Sequence, residues 1–266
     1  MGANDEAMID GSRAVEPQAS APVENSVPLQ KYLARAGIDS RRKCENYIRE
    51  GRVGVNGVVV TEMGVRVLPG TDKVYFDGCE VKPRGASVVF MLNKPAGYVT
   101  TMSDEWGRPI AAELVPVDEY PGLFPVGRLD QDTTGLLLFT NDGELGQGLL
   151  HPTHHVDKTY EALVHGIPSN KQLDVLRRGG LVIANRPIAP ARVELLSSDP
   201  AANTAMLSIT IHEGRKRQVR KMCKAIHHPV LQLHRRSLGP LELGDLDQGR
   251  YRMLSDSEIS ALRAVL

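Results

Sequence analysis

Residues 136–139, Leu-Leu-Leu-Phe, are an unbroken apolar run closed off by Thr-Thr-Gly before it and Thr-Asn-Asp-Gly after it. A short, wholly apolar run between turn formers suits a buried strand. The string that feeds it, GRLDQDTTG over residues 127–135, is polar and punctuated by glycine. It reads as a loop carried on a rigid strand, the setting in which reactive groups are often held. In that loop Asp130 and Asp132 stand two positions apart, with Arg128 nearby. Carboxylates so placed suit acid–base or nucleophilic chemistry, a metal site, or an ordinary Asp-rich turn, and no histidine joins them at a fixed spacing.

No apolar stretch approaches the roughly 18–20 residues of a membrane helix, which argues against an integral membrane protein. The 266 residues balance 32 Lys+Arg against 32 Asp+Glu. Zero net charge taken alone argues against a nucleic-acid binder, because neutralising phosphates takes cations in excess. The charges are unevenly spread, however, with net −4 over residues 1–30, +4 over 31–85, −5 over 86–210, +7 over 211–237 and −2 over 238–266. Such basic islands are the electrostatic footprint of a nucleic-acid surface. The first 26 residues are rich in Ala, Glu, Asp, Pro and Ser and lack both a basic start and an apolar core. They read as a disordered acidic tail without a secretory signal. Cys44, Cys79 and Cys223 share no CxxC or CxxxH spacing. They therefore suggest free thiols in a reducing cytoplasm, with neither disulfide nor zinc.

From Pro28 the pattern turns helical, with Leu29, Leu33 and Ala36 on one face and Gly37 as the stop. Ser40 caps a second expected helix in which Cys44, Tyr47 and Ile48 repeat, ended by Gly51. Val53 and Val55 then alternate, Asn56-Gly57 supplies a type I′ turn, and Val58 to Val60 return. Arg41, Arg42 and Lys43 crowd the first turn of the second helix, where cations oppose the helix dipole. Either a solvated basic turn or a surface awaiting an anion such as RNA phosphate would account for them.

The stretch LQKYLARAGIDSRRKCENYIREGRVGVNGVVV resembles the S4-type RNA-binding domain, through L-x-x-L-x-x-x-G, S-R-R, G-R-V and V-N-G. The string GRLDQDTTGLLLFTNDG resembles the active-site motif of pseudouridine synthases. The branch it fits contains the ribosomal small-subunit synthase A and large-subunit synthases B, E and F. LNKPAGYVTTMSDEWGRP, HPTHHVDKTYEALVHG and IHEGRKRQVRKMCKAIHHPVLQLHRRSLGPLELGDLDQGRYRML match further segments of that branch in order.

The resemblance implies a cofactor-free, metal-free isomerase that flips a uridine of ribosomal RNA out of its stack and converts it to pseudouridine. It makes Asp130, directly after Arg-Leu, the essential carboxylate, acting as nucleophile on the sugar or as base at ribose carbon 2. It makes Arg220 of the Q-x-R element the cation paired with Asp130, and Tyr160 the aromatic that stacks on the flipped uracil. Arg128 is expected to hold the extruded nucleotide by its phosphate. Arg41, Arg42, Lys43 and Arg52 are expected to bind RNA on the first island, and Arg215, Arg217 and Lys221 on the second. Helical spacing over residues 217–226 points Arg220 toward the site and turns Arg217, Lys221 and Lys224 elsewhere. Asp132 is expected to support the turn. The histidines of HPTHH are expected to point apart on a strand and to hold no metal. His227-His228-Pro229 departs from the family's Gly-His-Pro and puts a histidine where a left-handed stop is expected.

The expected fold is α+β. A small S4-like domain over residues 27–84, joined through a linker near Lys82 to Ala86, precedes a mixed, largely antiparallel sheet domain over 85–266. The expected partner is ribosomal RNA, with the large subunit favoured, and the expected state is a cytoplasmic monomer. A binding-only assembly factor and an Asp-dependent hydrolase are the competing classes.

Overall fold

The computed structural model describes residues 25–83, 87–183 and 185–266. The acidic tail expected over residues 1–26 lies almost wholly outside the described residues, as does the 84–86 part of the expected linker.

The N-terminal part comprises β1 (Val27–Pro28), α1 (Leu29–Arg35), α2 (Arg41–Arg49), β2 (Val53–Val55), β3 (Val58–Val60), β4 (Arg66–Val67), β5 (Val74–Phe76) and β6 (Cys79–Val81). Leu29, Tyr32 and Leu33 of α1 pack with Cys44 and Ile48 of α2 over Val53, Val67 and Val74. Ser40 Oγ accepts from Lys43 N–H, so α2 starts at its expected cap. Asn56 and Gly57 both have positive φ, 52° and 85°, as the type I′ turn between β2 and β3 demands.

The remainder runs through β7 (Val89–Lys94), β8 (Phe124–Val126), β9 (Thr133–Thr140), α3 (Gly143–Leu150), β10 (Lys158–His165), α4 (Asn170–Arg178), β11 (Val182–Ile183) and β12 (Arg186–Pro187). It continues through β13 (Arg192–Asp199), β14 (Thr204–Ile211), α5 (Gln218–Ala225), β15 (Val230–Leu238), β16 (Leu241–Glu242), β17 (Tyr251–Met253) and α6 (Asp256–Arg263). The main sheet has the order β13-β14-β10-β15-β9-β7-β17, with β16 on β15 and β8 on β9. Its pairings among the described residues are antiparallel except β9–β15, which is parallel. The fold is α+β, as expected.

The apolar run at 136–139 is explained by two separate cores. Leu136 and Leu138 face one with Val89, Met91, Leu145 and Leu262, while Leu137 and Phe139 face another with Phe90, Leu92, Ala111 and Leu123. A strand covered on both faces loses the polar alternation of a half-exposed one. A third cluster lies between β10, β13, β14 and the helices α4 and α5.

Local expectations fail at three places. Thr133, Thr134 and Gly135 belong to β9 and not to the loop, because β9 pairs with β15 from Thr133 onward. The stretch VVFMLNKPAGYVTT, residues 88–101, reads from its sequence as a buried strand, a Pro-Gly turn and another short strand, but in place of the second strand Val99 makes an isolated bridge to Ile110. Residues 152–154 form a 3-10 turn and His155 is left-handed at φ 48°, so His154 and His155 are not on a strand. Pro152 at the start of that turn favours it over extension.

Candidate active site

Asp130 lies in the loop from β8 to β9, and its backbone is fixed from several sides. Thr100 Oγ1 donates to the Leu129 carbonyl at 2.9 Å and accepts from Leu129 N–H at 3.3 Å. Gly97 N–H donates to the Gln131 carbonyl at 2.8 Å, and Gln131 Nε2 donates back to the Gly97 carbonyl at 3.0 Å. Beneath the loop the fully buried Lys94 Nζ donates to the carbonyls of Pro95 (2.9 Å), Asp130 (3.2 Å), Gln131 (3.4 Å) and Thr133 (2.8 Å). Burial pushes the Lys94 ammonium down to about 8, against the opposing pull of Asp132 and Asp130.

Asp130 lines a cleft of about 490 Å³ together with Tyr160, Ile211, Leu233, Lys158 and Arg235. Tyr160 comes from β10, where it pairs with Ile209 on β14 and with Arg235 on β15. Lys158 Nζ donates to the carbonyls of Val156 (2.8 Å) and His212 (3.3 Å), and burial with the nearby Arg235 charge pushes it down to about 8. Arg235 is 3% exposed and donates Nε to the Leu136 carbonyl at 2.7 Å, while its buried Nη2 has no hydrogen-bond partner among the described residues. Arg128, Arg215, Lys216 and Arg217 line the same cleft. Apolar walls and a cationic surround, at a size within the usual 300–1,000 Å³ or so of ligand sites, suit a nucleotide.

The arginines are arranged otherwise than helical spacing implies. Arg217 Nη1 and Nη2 donate to the two Asp132 oxygens at 3.1 and 3.0 Å, and Arg217 Nη1 lies 3.7 Å from Asp130 Oδ2. Arg220 Nη2 donates to the Asp132 carbonyl at 3.0 Å and lies 3.2 Å from the Asp132 carboxylate. The cation beside Asp130 is therefore Arg217, and Arg220 holds Asp132. Arg217 precedes α5 in a left-handed conformation, φ 53° and ψ 39°, so the 3.6-residue periodicity does not govern where it points. Asp132 is thus more than a turn former, because it gathers both guanidiniums against the loop.

The other expected RNA contacts divide into free and engaged. Arg41, Arg42 and Lys43 are exposed on α2, with Lys43 3.3 Å from Asp39. Arg128 is exposed at the cleft, and Lys221 is half-buried on α5 outside the cleft lining. Arg52 is already held by a bidentate pair with Asp77 and stacks on Tyr47 and Phe76. Arg215 is likewise held by the carbonyls of Arg186 and Pro187 and by Glu213. Sequence reasoning missed Lys94, Lys158 and Arg235. Lys94 and Lys158 carried a usable signal, since each is a lone lysine closing or opening an apolar strand.

A family model described as RNA pseudouridylate synthase matches residues 88–225, which hold Asp130, Tyr160 and Arg217, and a second, the S4 domain, matches 27–72. The chain belongs to the RNA pseudouridylate synthases. It is 45% identical over 240 residues to ribosomal large subunit pseudouridine synthase B of Bacillus subtilis, covering 89% of this chain and 96% of that one. An uncharacterized RNA pseudouridine synthase of Aquifex aeolicus is 40% identical over 237 residues, covering 89% and 93%. A crystal structure of a pseudouridylate synthase superposes with a TM-score of 0.64 at 32% identity, covering 89% of this chain and all of the other. This pseudouridine synthase is an isomerase: the bond from ribose carbon 1 to uracil N1 breaks, and one from carbon 1 to uracil C5 forms. The C5 proton leaves and N1 gains one, so the product has the mass of the substrate.

The Lys94 clamp gives the synthase a pH signature. Burial lowers the Lys94 ammonium to about 8, so the folded enzyme gives up this proton before the unfolded chain does. Folded stability therefore gains as pH rises from about 8 toward the ordinary lysine range, and Lys158 is shifted the same way. The neutral amine keeps two N–H donors for the carbonyls around it, so the clamp persists. In Lys94→Met the gain is expected to shrink to the part that Lys158 supplies. Thermal melts of both proteins between about pH 7 and pH 10 supply the profile, and an equal gain in the two contradicts it.

Proposed function

We propose that the enzyme modifies one uridine of ribosomal RNA, in the large subunit, with Asp130 as the catalytic carboxylate. The observation that carries the reading is that Asp130 and Tyr160 line one cleft while Arg217 places a positive charge 3.7 Å from the carboxylate. Asp130 acts either as nucleophile at ribose carbon 1 or as base at carbon 2, and both routes need the ionised form beside a cation. Tyr160 stacks on the flipped uracil and assists removal of the C5 proton. Lys216 and Arg128 take the flanking phosphates at the cleft, and Arg41, Arg42 and Lys43 take phosphates farther along the RNA. Arg52 and Arg215 act by holding their own elements in place, and Arg220 acts through Asp132. A base cannot be isomerised inside a stack, so the target is extruded from an unpaired or weakly paired site.

The large subunit is favoured by the 45% identity to synthase B of Bacillus subtilis. Ribosomal RNA as substrate supports a cytoplasmic location. Carbodiimide mapping of ribosomal RNA from a strain lacking the gene tests the reading. One reverse-transcription stop in large-subunit RNA should disappear and return with the wild-type gene. Loss of a stop in small-subunit RNA would reassign the substrate, and an unchanged ribosomal map would overturn the reading.

A further inference from the structure

The chain has a single tryptophan, Trp106, and it is the most exposed large hydrophobic residue described, at 82%. An indole left in water forgoes up to about 2–3 kcal/mol of burial, so a lone exposed one invites a partner. Its loop is nonetheless built to hold it still. Asp104, whose side chain is 6% exposed, accepts from the backbone N–H of Trp106 (3.1 Å) and of Arg108 (3.0 Å) and pairs with the Arg108 guanidinium at 2.6 Å. Gly107 at φ 68° closes the turn. Among the described residues the Trp106 ring has no aromatic or hydrogen-bonding partner.

The base of this loop is joined to the active site. Val99 N–H donates to the Pro109 carbonyl and Ala111 N–H to the Val99 carbonyl, both at 2.9 Å, closing the loop at its neck. The next residue, Thr100, bonds both backbone groups of Leu129, the immediate neighbour of Asp130. Trp106 is three residues from Pro109, so its Cα lies within about 11 Å of that neck. A rigid, exposed aromatic is thus tethered through Thr100 to the strand end that carries the reacting carboxylate.

We infer that Trp106 is an RNA-binding residue that stacks on an unpaired base of the substrate near the reacting uridine. The occupant is a nucleobase because the loop offers RNA a flat apolar face and little charge. Arg108 is engaged by Asp104, and Glu105 adds a carboxylate, so phosphate attraction is not what this loop supplies. Stacking on a fixed aromatic is worth about 1–3 kcal/mol per base and tolerates any base. Asp104 and Arg108 are positioning residues that lower the entropy lost on contact. The inference rests on RNA as substrate, and it adds a contact outside the cleft.

The single tryptophan makes its own reporter. Full-length enzyme is titrated with the in vitro transcript that it modifies, following intrinsic fluorescence and, in parallel, the anisotropy of end-labelled RNA. Emission should be quenched along the same isotherm as the anisotropy. Trp106→Ala should weaken binding and raise KM about 5- to 100-fold with kcat at saturating RNA within about twofold, and Trp106→Phe should recover most of the affinity. The deficit should be similar at about 50 and 200 mM salt, unlike the loss from Arg41→Ala, which shrinks as salt rises. Binding by anisotropy with unchanged emission, or wild-type KM in Trp106→Ala, would overturn the stacking role alone. Absence of RNA binding by either signal would overturn the substrate reading and the stacking role with it.

Discussion

Asp130→Asn is expected to lower pseudouridine formation by about 10³-fold or more while RNA affinity stays within about twofold. The substitution keeps shape and volume and removes only the charge and the capacity to attack or to take a proton. It should not disturb the fold. Among the described residues the Asp130 carboxylate accepts no hydrogen bond, and its nearest cation stands 3.7 Å away. What holds the loop is the Asp130 backbone carbonyl, bonded by Lys94 Nζ and Thr133 N–H, and asparagine keeps it. Stability should therefore change by no more than about 0.5 kcal/mol, the usual range for a substitution that breaks no buried contact. The neighbouring Asp132 presents the opposite case, since its carboxylate is gripped by Arg217 and Arg220. Single-turnover assays on the modified transcript, with thermal melts of both proteins, separate chemistry from folding. A variant that retained more than about a tenth of wild-type turnover would show that Asp130 is not the reacting group.

Gly135→Ala is expected to be the most damaging small substitution in the sheet, costing about 3–5 kcal/mol and about 10 °C of melting temperature. Gly135 has φ 103°, a conformation that an L side chain strains to adopt, and it pairs with Arg235 where β9 and β15 run parallel. A Cβ there would lie 2.3 Å from the Arg235 carbonyl oxygen and 2.7 Å from its nitrogen. Those are backbone atoms of a neighbouring strand, so no side chain can rotate away. Relief requires β9 to separate from β15, which carries Arg235 away from the cleft and shifts the loop that holds Asp130. Gly97→Ala serves as the control, because Gly97 has φ 93° and nothing within 4 Å of a Cβ. It should cost only the backbone strain of about 1–2 kcal/mol. Equal melting temperatures for the two variants would mean that the sheet accommodates a methyl group at Gly135.

Much of the fold was legible because it rests on short-range chemistry. Ser40 as a cap, Asn56-Gly57 as a hairpin turn and Leu136 to Phe139 as a buried strand are each decided within a few residues, and each stands where expected. His227 is left-handed at φ 66°, as its place at the helix stop implies. The long motifs carried the family, and with it Asp130 and Tyr160 as candidates. The resemblance paired Arg220 with Asp130, and helical spacing turned Arg217 away; Arg217 stands one residue before α5, outside its periodicity, and it is the guanidinium 3.7 Å from that carboxylate. Glu213 lies only two residues from Arg215, but the other groups that engage Arg52 and Arg215, Asp77 and the carbonyls of Arg186 and Pro187, are 25 or more residues away and were not legible.

The sequence by itself determined the α+β class, the family, the basic islands hidden inside a zero net charge, and the loop on which Asp130 stands. Those follow from local propensity, patterning and motif. Only the tertiary structure decided which cations reach Asp130, that Lys94 grips the loop from below, and that Gly135 must remain bare against Arg235. The physical reason is range: a strand, a cap or a turn is specified by neighbours along the chain. An ion pair, a buried ammonium or a close backbone approach exists only after β9, β15 and α5 have been brought together.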